Sequence, residues 1–206
     1  MTWSYDPSPI TGYYGVNELR GVSCASSTFC MAVGKYAAEG GSSQIESWNG
    51  VEWSVEPVPR RGAGENALYS VSCVSAEHCV AVGAAEGALV ESWSGGTWST
   101  LETPSLEGGG LVGVSCVGKS CAAVGAYEAR GTAHALVEAL NGSEWSIVPS
   151  ANGASGGTKL NDVSCVSARS CFAVGEDEAG PGGSSQALVE NGGVQSAGGL
   201  GFSRFR

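Results

Sequence analysis

Val22-Ser23-Cys24-Ala25-Ser26-Ser27-Thr28-Phe29-Cys30-Met31-Ala32-Val33-Gly34 returns three times with its spacing nearly intact, as Val71 to Gly83, Val114 to Gly125 and Val163 to Gly175. Repetition at a fixed period marks an array of like units, each too small to bury its apolar face alone. The first cysteines of the copies stand 49, 43 and 49 residues apart (24 to 73, 73 to 116, 116 to 165). That is the length of a four-stranded propeller blade.

Outward from this stretch the first unit reads as four short strands, a to d. Strand a holds Leu19 to Cys24 and strand b Cys30 to Gly34, with alanine at Ala32 and at the matching place in every copy. Strand c holds Gln44 to Trp48, and strand d starts at Trp53. Asn49-Gly50 lies between c and d, replaced later by Ser94-Gly95-Gly96 and Asn141-Gly142. Such residues accept positive φ and mark tight hairpins. The same reading explains Asn141-Gly142-Ser143 more simply than a glycosylation acceptor does. Alternation places Glu46 with Trp48 on one side of strand c and Ile45 on the other.

The fold class is therefore all-β, a propeller of four blade repeats: residues 17–59, 66–105, 109–150 and 158–196. The fourth unit lacks Trp-Ser after Glu190 and runs into a Gly-rich tail, 197–206. The chain opens on Thr2-Trp3-Ser4-Tyr5-Asp6-Pro7, which matches the close of each unit. Residues 2–9 are thus expected to complete the last blade as its strand d, pairing near Val189 and closing a ring of four. The rival reading is an open array cut from a longer one.

Composition agrees with short strands and many turns: 33 glycines and few lysines. The formal charge of −10 has no basic cluster to offset it, so a phosphate backbone is repelled and nucleic acid is not the expected partner. No apolar run reaches membrane-spanning length. Cysteines fall in four short-range pairs, Cys24/Cys30, Cys73/Cys79, Cys116/Cys121 and Cys165/Cys171. A disulfide across each short turn is the favoured reading; free buried thiols and zinc held by pairs from separate blades are the alternatives. Disulfides imply an oxidising, extracytoplasmic compartment. The start of the chain shows no signal peptide, so the expectation is a piece of a longer exported protein or a lost start.

The pattern V-S-C-x-S-x-x-x-C-x-A-V-G followed by L-V-E-S-W-x-G-x-x-W-S resembles the blade repeat of exported bacterial β-propeller proteins, whose architecture is similar to the kelch and galactose-oxidase central-domain propellers. The resemblance runs from about Thr2 to Glu190. It implies a secreted or surface role and carries no catalytic motif.

In an up-and-down blade the a–b and c–d turns share one face of the disc, and the b–c and d–a connections share the other. The first set is nearly constant here and the second varies, which places recognition on the b–c and d–a face. Candidate ligand-binding residues there are Tyr13, Tyr14, Tyr36, Glu39, Glu86, Tyr127, Glu128, Glu176, Asp177 and Glu178. Tyrosines beside carboxylates suit a glycan or a cationic peptide. The function expected is non-catalytic recognition or scaffolding, the alternatives being a carbohydrate-cleaving propeller enzyme and a structural repeat without a small ligand. His78 and His134 have no nucleophile paired with them by motif. No cofactor is expected, although Glu176-Asp177-Glu178 has the composition, without the spacing, of a Ca²⁺ loop. Glu46, Glu91, Glu138 and Glu190 recur at one place in strand c, where a structural hydrogen bond is expected over a cation site. Trp48, Trp53, Trp93, Trp98 and Trp145 bracket the c–d turns as packing residues.

Overall fold

The computed structural model describes residues 2–9, 16–36, 41–104, 106, 108–150, 152, 157–178 and 184–193, and the backbone of 203–204. Four antiparallel four-stranded sheets follow one another, each ordered as the chain runs. Blade 1 is β1 (Asn17–Ser26), β2 (Phe29–Tyr36), β3 (Ser42–Trp48) and β4 (Trp53–Val55); blade 2 is β5 (Ala67–Ser75), β6 (His78–Ala84), β7 (Ala88–Ser94) and β8 (Trp98–Thr100). Blade 3 is β9 (Gly110–Val117), β10 (Ser120–Ala129), β11 (Thr132–Asn141) and β12 (Glu144–Ile147); blade 4 is β13 (Thr158–Ser167), β14 (Ser170–Glu178), β15 (Ser185–Gly192) and β16 (Ser203–Arg204). The chain is all-β, built as a β-propeller array of blade repeats.

Each blade packs a trailing face onto the leading face of the next. Met31, Val33 and Ile45 of blade 1 meet Leu68, Val71, Leu89 and Trp93 of blade 2. Val80, Val82 and Val90 of blade 2 meet Leu111, Val114, Leu136 and Trp145 of blade 3, and Ala122, Val124 and Val137 of blade 3 meet Leu160, Val163 and Leu188 of blade 4. The core is thus three slabs between four sheets, as expected of repeats that bury their faces only on neighbours.

The recurring motif supplies three devices for this stacking. Its serine caps the next blade: Ser23, Ser72 and Ser115 accept hydrogen bonds from the backbone N–H of Cys73, Cys116 and Cys165, at 2.9, 3.0 and 3.0 Å. Its alanine stands directly across from the strand-c glutamate, as in Ala32↔Glu46, Ala81↔Glu91, Ala123↔Glu138 and Ala173↔Glu190. All four glutamates are fully buried, and a small neighbour leaves them room. Its closing glycine lies against a carbonyl of strand a: a Cβ on Gly34, Gly83, Gly125 or Gly175 would fall 1.8 to 2.0 Å from the oxygen of Glu18, Ala67, Gly110 or Lys159.

All eight cysteines form disulfides, Cys24–Cys30, Cys73–Cys79, Cys116–Cys121 and Cys165–Cys171. Each joins residues directly opposite on the first two strands of a blade. The a–b turn is closed by the neighbouring tryptophan: Trp48 and Trp93 donate from Nε1 to the carbonyls of Ser27 and Ala76, and pack at a tilt across the c–d hairpin against Trp53 and Trp98, with ring centroids 5.7 Å apart. Replacing both Cys73 and Cys79 with serine is expected to cost about 2 kcal/mol by loss of loop closure. Urea denaturation of the variant checks this, and an unchanged midpoint would show that the paired strands already hold the turn.

The ends of the array differ from the expected closure. Residues 2–9 form no strand, and Trp3 and Tyr5 are exposed. The outer partner of β15 is β16, with Glu190↔Arg204 and Asn191↔Ser203. Part of the expected tail is therefore the fourth strand of blade 4, and Phe202-Ser203 stands in the sequence where the other blades have Trp-Ser. The N-terminal segment sits against blade 1 instead, where Ser8 Oγ donates to Glu46 Oε1 at 2.6 Å. Among the described residues no apolar cluster joins blade 4 to blade 1.

Candidate functional site

The b–c and d–a face carries a polar cleft of about 310 Å³ between blades 1 and 2, lined by Tyr36 and Ser42–Gln44, by the segment after β4 from Val55 to Arg60, and by Asn66. β2 and β3 bring Tyr36 opposite Ser42 at their common end. The floor is set by Ser43 and Gln44, both buried. Among the described residues Ser43 Oγ and Gln44 Oε1 have no hydrogen-bond partner, although buried polar atoms are normally satisfied. Both residues depart from the repeat: in blades 2 and 3 the matching places are Ala88-Leu89 and Ala135-Leu136.

The walls are held from within. Asn66, also buried, donates from Nδ2 to the carbonyls of Arg61 and Gly64 and accepts from the backbone N–H of Arg61. That cage fixes the loop that follows Arg60. Arg61 reaches across to the carbonyl of Ala88 at 2.9 Å. Glu56 accepts from Ser47 Oγ, and its own N–H bonds the Ile45 carbonyl at 2.9 Å. Lys35 and Glu65 pair at 2.8 Å across the same two blades. Their hydrogen bond and mutual attraction raise the lysine and lower the glutamate from their usual ranges.

A second cleft, of about 290 Å³, lies at the disulfide-turn end between blades 2 and 3, beside His78, Trp93, Lys119 and Leu140. None of its lining side chains has a buried polar atom left without a partner.

Of the described residues singled out in the sequence, Tyr36 alone lines the loop-face cleft. Tyr13, Tyr14 and Glu39 lie outside the described residues. Glu86 is exposed on the β6–β7 turn beside Gly62. Tyr127 is half-buried with its ring stacked on His134 at 5.3 Å, and Glu128 next to it is exposed. The three acids of blade 4 are each engaged: Glu176 by Ser185 Oγ, Asp177 by Thr158 Oγ1 and Glu178 by Lys159, all at 3.0 Å. Alternation along β14 turns Asp177 away from Glu176 and Glu178.

Each strand-c glutamate accepts a hydrogen bond from a hydroxyl, and Glu46 accepts one from the Gln44 amide as well. Glu138 accepts from Thr103 and Glu190 from Ser150, both on the segment that leaves the preceding blade. Glu46 receives Ser8 in the same manner, whereas Glu91 takes Thr100 of its own blade. Burial pushes the carboxyls of Glu91 and Glu138 up to about 7, against the lowering effect of these hydrogen bonds. Sequence reasoning missed the role of Ser43, Gln44 and Asn66. The signal was the break in the repeat at Ser43-Gln44.

No protein-family model and no curated protein matches the chain. Among solved structures it is similar to "YCF48 bound to D1 peptide", at 13% identity and a TM-score of 0.56, over 98% of this chain and 57% of that one. It is also similar to the computationally designed Ika4 protein, at 11% identity and a TM-score of 0.50, over 90% of this chain and 98% of that one. The chain thus spans little more than half the length of the YCF48 chain, and what it shares with YCF48 is the fold of a β-propeller.

Proposed function

We propose that the chain is a non-catalytic recognition module of an extracytoplasmic protein, and that it binds a peptide segment in the cleft between blades 1 and 2. The observation that carries this reading is the buried acceptor Ser43 Oγ, without a hydrogen-bond partner among the described residues, in a preformed cleft lined by an aromatic residue, Tyr36. A ligand that offers N–H donors relieves the cost of leaving such atoms unpaired, and an extended peptide presents them at regular intervals. The net charge of −10 and the acids Glu86 and Glu128 elsewhere on this face favour a basic peptide. A peptide is favoured over a glycan because a sugar platform needs open aromatic faces, and Tyr127 has given one of its faces to His134. YCF48, of similar fold, has been solved with a peptide bound, and four disulfides suit an oxidising compartment.

The test is selection from a peptide display library and a parallel glycan panel on the immobilised chain. Enrichment of basic peptides, with affinity reduced about tenfold by Tyr36→Ala and by Ser43→Ala/Gln44→Leu, is the expected result. Selected peptides that bind these variants as well as the parent would place the site elsewhere.

A further inference from the structure

The two interfaces that flank blade 2 share one register but are filled differently at their disulfide-turn end. Between blades 1 and 2, Phe29 of β2 packs against the slab that contains Trp93. Phe29 precedes the second motif cysteine of its blade, and Trp93 stands opposite the second motif cysteine of the next, Cys79. Between blades 2 and 3 the same two places hold His78 and Leu140. His78 precedes Cys79 and shares a side of β6 with Val80 and Val82, while Leu140 stands opposite Cys121 in the slab that faces blade 2. An imidazole and an isobutyl group thus replace a phenyl ring and an indole. The cleft of about 290 Å³ beside His78 and Leu140 lies where the larger pair would be. Its interior is apolar, set by Val80, Leu140 and the Cys116–Cys121 disulfide. Its rim carries Lys119 and His78, both exposed, and no acidic side chain lines it. In a chain with 20 acidic and 10 basic residues that is a local reversal of sign. Lys119 enters none of the ion pairs among the described residues, which leaves its ammonium open to an anion.

We propose that this cleft binds a small aromatic carboxylate. The ring enters between Val80 and Leu140, in the room that Phe29 and Trp93 take up one interface earlier, and the carboxylate meets Lys119 and the His78 imidazole. Burying the ring removes apolar area from water and restores the contacts that the smaller side chains forgo. The charge-assisted hydrogen bond to the ammonium fixes which end of the ligand faces out. Volume sets the size of the ligand. Small-molecule sites usually span about 300–1,000 Å³, so a cleft at the lower bound takes one bicyclic ring with a short acid arm. The site stands apart from the peptide cleft between blades 1 and 2, at the opposite end of the blades, and does not depend on that reading.

Titration of the isotope-labelled 206-residue chain with indole-3-acetate, followed through its backbone amide shifts, tests the proposal. Shifts centred on His78, Ser94, Gly118 and Lys119 are expected, with a dissociation constant of roughly a millimolar or tighter. Tryptamine, which has the same ring and the opposite charge, is expected to bind at least tenfold more weakly. Lys119→Gln, at an exposed position where the fold is indifferent, is expected to weaken indole-3-acetate about fivefold and to leave the neutral indole-3-acetamide unchanged. Leu140→Trp puts back the residue that blades 1 and 2 carry as Trp48 and Trp93, and is expected to abolish binding with the four disulfides intact. No localised shift at concentrations several times higher, equal binding of tryptamine, indifference to Lys119→Gln, or undiminished binding by Leu140→Trp would overturn the proposal.

Discussion

Gly83→Ala is expected to destabilise the fold by about 3 kcal/mol or more, with loss of soluble protein as the visible result. The added Cβ would fall 1.9 Å from the carbonyl oxygen of Ala67, far inside van der Waals contact. Neither atom can retreat. Gly83 pairs with both Leu68 and Leu89 in the middle of its sheet, and Leu68 and Leu89 lie in the slab between blades 1 and 2. Gly142→Ala is the control, since Gly142 has a φ of 74° and nothing within 4 Å of its would-be Cβ. That change carries only the conformational cost of a left-handed residue, roughly 1 kcal/mol. Urea denaturation of both variants separates steric exclusion from backbone preference; equal losses would refute the packing account of the motif glycine.

The second large effect is a dependence of stability on pH set by Glu91 and Glu138. Burial raises both carboxyls from the ordinary glutamate range to about 7 in the folded chain. Between about pH 4.5 and 7 the folded state therefore holds more protons than the unfolded state, whose glutamates titrate near the usual value of about 4.3. Stability is greatest below that window, falls as pH rises through it and levels above about 7. A shift of this size corresponds to roughly 3 kcal/mol for each carboxyl. Glu65, paired with Lys35 and lowered, acts in the opposite direction, but both partners are at the surface, where such pairs contribute little. Unfolding free energies from denaturant titrations at pH 5 and pH 8 are expected to differ by about 5 kcal/mol in the parent chain, the sum over the two carboxyls. In Glu91→Gln/Glu138→Gln the difference is expected largely to vanish, because the amide keeps the shape without the proton equilibrium. A parent chain more stable at pH 8 than at pH 5 would contradict this assignment.

The glutamates illustrate how far local pattern reaches. Their recurrence and the alanine opposite them are plain in the amino-acid order, and so is the preference for a structural hydrogen bond over a cation site. Their partners are not, because Thr103 and Ser150 arrive from the preceding blade, 35 and 40 residues away. The closing strand shows the same limit. Trp3-Ser4-Tyr5 is the better match to strand d, yet the edge of β15 is taken by Ser203–Arg204. Phe202-Ser203 was the overlooked signal, a weakened copy of Trp-Ser set off by a long Gly-rich connection.

The sequence by itself determined the blade repeat: four strands in each of the first three units, the favoured disulfide within each motif and the positive-φ turns after strand c. All of these join residues near in the chain, so spacing alone carries them. Only the tertiary structure decided that, among the described residues, no apolar cluster joins blade 4 to blade 1, that four carboxylates lie fully buried and that Ser43 leaves its hydroxyl unpaired in a cleft. Each of these depends on which face of one blade covers the next. Such contacts join residues tens of positions apart, so one unit's pattern cannot specify them.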